Sequence, residues 1–216
     1  MINNNLLINK DGDRLVVELS VLAYSLFPKS RVDSDETYFQ TAEIRTLLTH
    51  LENKQEYEFL IDSQLAELFG NRNSLKIIEL PTNRYERSVK RMICFREQKI
   101  NEYLVLYVSM VIPFYVLYHA CWDVNRKRKS IYSLNGVQID YVNDTIAEHY
   151  SQIASLIKIE TEKQFTGYRI MPQNIWQSPV FDIYFNGNGK SSSETFIPAW
   201  GHPMTLFNVY FSDHLY

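Results

Sequence analysis

Five histidines, at positions 50, 119, 149, 202 and 214, are the first residues to weigh for chemistry. No pair stands at the i, i+4 spacing that sets two imidazoles on one helical face, and neither Cys94 nor Cys121 completes a ligand set with them. Structural or surface histidine is therefore expected, with no metal site and no cofactor. Ser109, His119 and Asp123 would form a nucleophile set if the chain turned between them, but Ser109 lies in an apolar run with no nucleophile elbow around it. Ser212, Asp213 and His214 are adjacent, and neighbouring side chains on an extended chain point to opposite faces. Gly189-Lys190-Ser191 resembles the end of a phosphate loop, yet Tyr184 stands where that loop requires glycine, so a hairpin turn is expected instead. No catalytic residue is assigned. A small hydrolase with an unrecognised site is the enzyme alternative.

Charge distribution says more. Residues 84–99 hold six basic and two acidic side chains and residues 126–129 add four bases, so these two stretches carry +8 and the rest of the chain −11. They read either as a nucleic-acid footprint or as a solvated strand edge and loop. The second is expected, because the net charge is −3 and no aromatic-glycine RNA motif accompanies them. Asp33, Asp35, Glu36, Glu43, Glu52, Glu56, Glu58 and Asp62 face only Arg45 and Lys54 between residues 33 and 62. This acidic region is either an ordinary solvated helix face or a surface that steers a basic partner. Glu36, Glu43, Glu52, Glu56 and Glu58 are its candidate partner-binding residues.

These residues must be held by a framework that the hydropathy pattern outlines. Asp33 with Glu36 makes a capping box, and Ile44, Leu47, Leu48 and Leu51 share one face, which predicts a helix over 34–54 with Glu36 and Glu43 outward. Glu56 and Glu58 are placed in the loop that follows. A shorter helix over 63–69 is capped by Asp62 or Ser63 and stopped by Gly70. Before these, Asp11-Gly12 between apolar segments predicts a hairpin; the competing reading is a helical face of Leu15, Val16, Leu19, Leu22, Ala23 and Leu26, ended by Pro28.

Residues 75–80 and 88–97 read as strands, although Tyr85, Val89, Met92 and Ile93 would also suit one helical face. From Tyr103 to Trp122 there are twenty residues without a charged side chain, long enough for a membrane helix. Pro113 and Tyr115 at its centre, and tyrosines spread along it, favour two buried strands turning near Pro113 and covered on both faces. Ile139, Val142, Ile146, Tyr150, Ile153 and Ile157 predict a long helix over 140–163. The turn-rich tail predicts short strands and loops.

The chain of 216 residues has 45% apolar and 22% charged residues, and buries about 70% of its unfolded surface by size scaling, so it needs no staple. Two cysteines are read as free thiols in a reducing cytoplasm, and the start of the chain lacks the basic region of a signal peptide. Fifteen tyrosines against twelve phenylalanines suggest that some rings sit half-exposed for protein recognition.

The stretch YLVLYVSMVIPFYVLYH (103–119), the amphipathic helix and the terminal TLFNVYFSDHLY (205–216) loosely resemble small immunity-type proteins of bacterial toxin systems. The resemblance implies a cytoplasmic protein without enzymatic activity that binds and blocks a cognate toxin; it transfers no binding residues. The resulting expectation is one α+β domain, with a largely antiparallel sheet around residues 75–121 and the C-terminal strands and two main helices packed on it. Its function would be non-enzymatic toxin neutralisation by occlusion through the acidic helical surface. Nucleic-acid binding through 84–99 and 126–129 is the remaining alternative, and no membrane association is expected.

Overall fold

Strand pairing dominates the architecture. The computed structural model describes residues 12–27, 39–70, 75–79, 86–95, 101–122, 137–141, 148–180 and 205–211. Strands β1 (Leu75–Glu79), β2 (Ser88–Phe95), β3 (Asn101–Ser109), β4 (Phe114–Trp122) and β5 (Val137–Tyr141) lie in sheet order 1-2-3-4-5, every pair antiparallel. A short β6 (Arg169–Ile170) runs parallel to the start of β4. The charge-free segment thus forms the central hairpin β3–β4, with Val108 opposite Tyr115 and Leu104 opposite His119. Its turn falls beside Pro113 as the sequence predicts. Ser109 Oγ ties that turn by accepting hydrogen bonds from the amides of Val111 and Ile112.

Both faces of this hairpin are covered, so its side chains are buried without polar alternation. On one face lie α3 (Lys54–Phe69) and α4 (Glu148–Gln164), joined across their contact by Gln64 Nε2 donating to Thr161 Oγ1 at 3.0 Å. On the other lie α1 (Gly12–Leu26), the short α5 (Gln173–Trp176) and α6 (Leu206–Tyr210). Helix α2 (Ala42–Leu51) packs on α1. The fold is α+β, with one hydrophobic core to which helices and sheet both contribute. Among the described residues no helix is long and apolar enough to cross a membrane.

Several expectations need correction. The hairpin at Asp11-Gly12 gives way to α1, because Leu15, Leu19, Ala23 and Leu26 make a buried stripe at helical spacing that outlasts the local turn signal. Of the helix foreseen over 34–54, residues 39–40 are helical, the chain bends at Thr41, and α2 then runs only to Leu51, with Thr41 Oγ1 accepting from the Ile44 amide. Asp33 and Glu36 lie outside the described residues. Ile44, Leu47 and Leu51 are buried as the periodicity requires. Helix α3 starts nine residues before the expected 63, since Ile61, Leu65 and Phe69 continue a stripe that Tyr57 begins; Gly70 caps it, donating to Ala66 O.

The expected helix over 140–163 begins at Glu148, and residues 137–141 pair with β4 instead. An open strand edge captured a segment whose spacing alone suggested helix. The C-terminal run expected as strand is helix α6. There Asn208 Oδ1 accepts from both the amide and the hydroxyl of Thr205, a cap that starts a helical turn. Among the described residues four helices of ten residues or more thus stand where two main helices and a shorter one were expected.

Candidate functional site

The proposed nucleophile set does not assemble. Ser109 is buried at the β3 end, and its Oγ donates to Tyr210 O at 2.9 Å while accepting from the two turn amides. His119 lies five residues along β4 from the level of Ser109, about 17 Å away at strand rise. It packs against the Tyr150 ring, centroids 4.9 Å apart. Asp123 falls outside the described residues, as do His202, Gly189-Lys190-Ser191 and Ser212-Asp213-His214. His50 is half-buried on α2, and burial lowers its pKa. Among the described residues no group of three or more His, Cys, Asp or Glu could hold a metal ion.

The described bases of the stretch 84–99 differ from either expectation. Arg87, Lys90 and Arg91 are all buried, neither solvated nor open to phosphate. Lys90 and Arg91 are consecutive on β2, so they point to opposite faces of a sheet covered on both sides. Each finds an acid. Lys90 Nζ sits 3.1 Å from Glu86 Oε1 and 5.9 Å from the Tyr107 ring centroid. Arg91 forks onto Asp62 of α3, and its Nη1 also donates to Lys90 O at 2.8 Å. Such partners are what make ionic burial tolerable, since desolvating a charge costs several kcal/mol.

Arg87 holds the C-terminal helix. Its Nη2 donates to Asn208 O at 2.8 Å, Ser88 Oγ donates to Phe211 O at 2.8 Å, and Ser109 Oγ supplies Tyr210 O. The carbonyls at the end of α6, which a helix cannot satisfy internally, are captured by side chains of the sheet. Phe207 then stacks edge-on against Tyr107 at 5.0 Å. Arg84, Arg96, Lys99 and residues 126–129 lie outside the described residues.

The surface of α2 and α3 is mainly acidic. Glu52, at the C-terminus of α2, and Glu56, in the first turn of α3, are exposed; Glu43 and Glu58 are half-buried; Glu36 is outside the described residues. Glu56 and Glu58 therefore lie on a helix, where a loop was expected. Glu56 also occupies a helix N-terminus, where a carboxylate is favourable without any partner.

One residue of this surface escaped the sequence reading. Phe59 is 70% exposed, two positions before the buried Ile61 and so about 200° from the core stripe of α3. The available signal was that phase mismatch. The tyrosines divide as the composition suggested: Tyr24, Tyr57, Tyr103 and Tyr168 are half-buried, whereas Tyr107, Tyr115, Tyr118, Tyr150 and Tyr210 are fully buried.

No family model matches the chain, and neither a curated protein nor a solved structure is significantly similar to it.

Proposed function

We propose that this chain is a non-enzymatic binding protein of the immunity type, which neutralises a basic toxin in the cytoplasm by occluding it with the acidic surface of α2 and α3. The observation that supports this reading is where the charges go. Three positive side chains and one negative are buried among the described residues, so the rest of the chain carries −5 where the whole carries −3. On α2 and α3 the carboxylates Glu43, Glu52, Glu56, Glu58, Asp62 and Glu67 meet two surface bases, Arg45 and Lys54, while Arg91 is spent inside on Asp62. Glu43, Glu52, Glu56 and Glu58 are then left to attract a partner of opposite sign.

Occlusion requires no acid, base and nucleophile set, and among the described residues Ser109 is engaged in holding α6 and stands far from His119. The same burial weakens the nucleic-acid alternative, because Arg87, Lys90 and Arg91 offer no phosphate contact. The test is to express the products of the neighbouring genes, find one that kills the cell, and co-express it with this chain. Survival of cells producing both, with a stable complex on size exclusion, is the expected outcome. Death of those cells despite abundant folded protein would refute the reading.

A further inference from the structure

Resting on that binding reading, we propose that Phe59 is the anchor of the docking surface, and that the partner presents a basic rim around an apolar contact that receives this ring. On α3 the outward face contains Gln55, Phe59, Ser63 and Ala66, all exposed, with Glu56 and Asp62 about 60° to either side of Phe59. Glu67 lies on the same exposed side, one helical turn beyond Ser63. The core stripe Ile61, Leu65 and Phe69 is on the opposite side, so the fold places no packing demand on position 59.

Isolated exposed apolar side chains are ordinary, and three others occur among the described residues: Val17, Val21 and Ile159. Their surroundings differ. Beside Val17 the charges are of both signs, Asp13, Arg14 and Glu18, the last two 3.4 Å apart, and beside Ile159 they are again mixed, Lys158, Glu160 and Lys163, the last two 3.2 Å apart. Those patches state no preference for the charge of an occupant. The charges on α3 from Glu56 to Glu67 are all carboxylates, and the cation that meets one of them, Arg91, approaches Asp62 from the interior.

An aromatic ring in an acidic surround selects a cationic, partly apolar counterpart for three reasons. Burying the ring supplies most of the attachment, as large side chains near the centre of an interface usually do. A lysine or arginine of the partner can rest on the ring face, where the aromatic quadrupole attracts cations. Glu56 and Glu67 on the same side of α3 raise the rate of encounter without needing tight pairing.

The proposal is tested by selecting random-sequence peptides displayed on phage against the intact protein, then measuring affinities of the enriched peptides by fluorescence anisotropy at low and physiological ionic strength. The expected result is enrichment of cationic peptides carrying bulky apolar residues. Affinity should fall by about tenfold or more on Phe59→Ser and by much less on Phe59→Leu, with both variants melting like the parent. Cationic peptides that bind Phe59→Ser and parent equally would overturn the anchor while leaving the acidic-surface reading standing. Enriched peptides without cationic bias, or no enrichment, would overturn both.

Discussion

Arg91 Nε donates to Asp62 Oδ1 at 2.6 Å and Nη2 to Oδ2 at 2.7 Å, a two-point fork that joins strand β2 to helix α3. The guanidinium is 2% exposed and the carboxylate 51%, so the pair has a dry end and a wet end. Removing the wet end strands a buried cation. Asp62→Asn should destabilise the fold by about 1–3 kcal/mol, below the cost for a fully buried pair because water reaches the carboxylate. Arg91→Met in the Asp62→Asn background should recover part of that loss. Urea unfolding of both variants measures it, and an unchanged midpoint for Asp62→Asn would show that the fork contributes nothing.

Helix α6 is the second structural test. Phe207 touches Tyr107, Trp176 and Phe211 and is fully buried, so Phe207→Ala should cost about 3–5 kcal/mol. Ser109→Ala leaves Tyr210 O and two turn amides without their partner, for about 1–3 kcal/mol. Thermal melts should rank the two in that order. Equal, near-zero shifts would mean that α6 is not part of the cooperative core.

Titration of the tyrosines gives a third check. Burial, reinforced by the hydrogen bond to Glu162, pushes the Tyr115 hydroxyl far above its ordinary value of 10.0; burial and the neighbouring Tyr57 raise Tyr168; and burial raises Tyr210. A phenol whose folded pKa is raised stabilises the fold fully below its unfolded pKa, and that contribution is lost as pH climbs beyond it. Stability should therefore be insensitive to these groups at neutral pH and fall above pH 10. Ultraviolet titration should show a set of tyrosines that ionise only as the protein unfolds. Ionisation of all fifteen near the ordinary value, with native circular dichroism retained, would contradict the burial described here.

The central hairpin was legible in the sequence because an uncharged run rich in β-branched and aromatic residues, broken by Pro113, has few other ways to fold. Ile44, Leu47 and Leu51 were legible for the same reason in helical form. Lys90 and Arg91 were not. On a sheet with one wet face, two consecutive bases would leave one of them in solvent, but here both faces are covered, and the acid that meets Arg91 is 29 residues away in the chain. Spacing cannot announce such a partner. Residues 137–141 were not legible as strand because an available strand edge outweighs periodicity, and Phe59 carries no signal beyond being out of phase with the core.

The acidic surface is the central claim, and association kinetics test it most directly. Glu43, Glu52, Glu56 and Glu58 should all be changed to Lys in one variant and its binding to whatever toxin the co-expression test identifies followed by stopped flow. Glu56→Lys reverses a favourable helix-terminus charge, so the variant should lose about 0.3–1 kcal/mol from that site and otherwise keep its stability. Exposed charges are screened over about 8 Å at physiological ionic strength, which makes salt the control. The account predicts association slowed by about tenfold or more at low salt, with the difference shrinking as salt rises. An association rate equal to that of the unaltered protein at every ionic strength would contradict it.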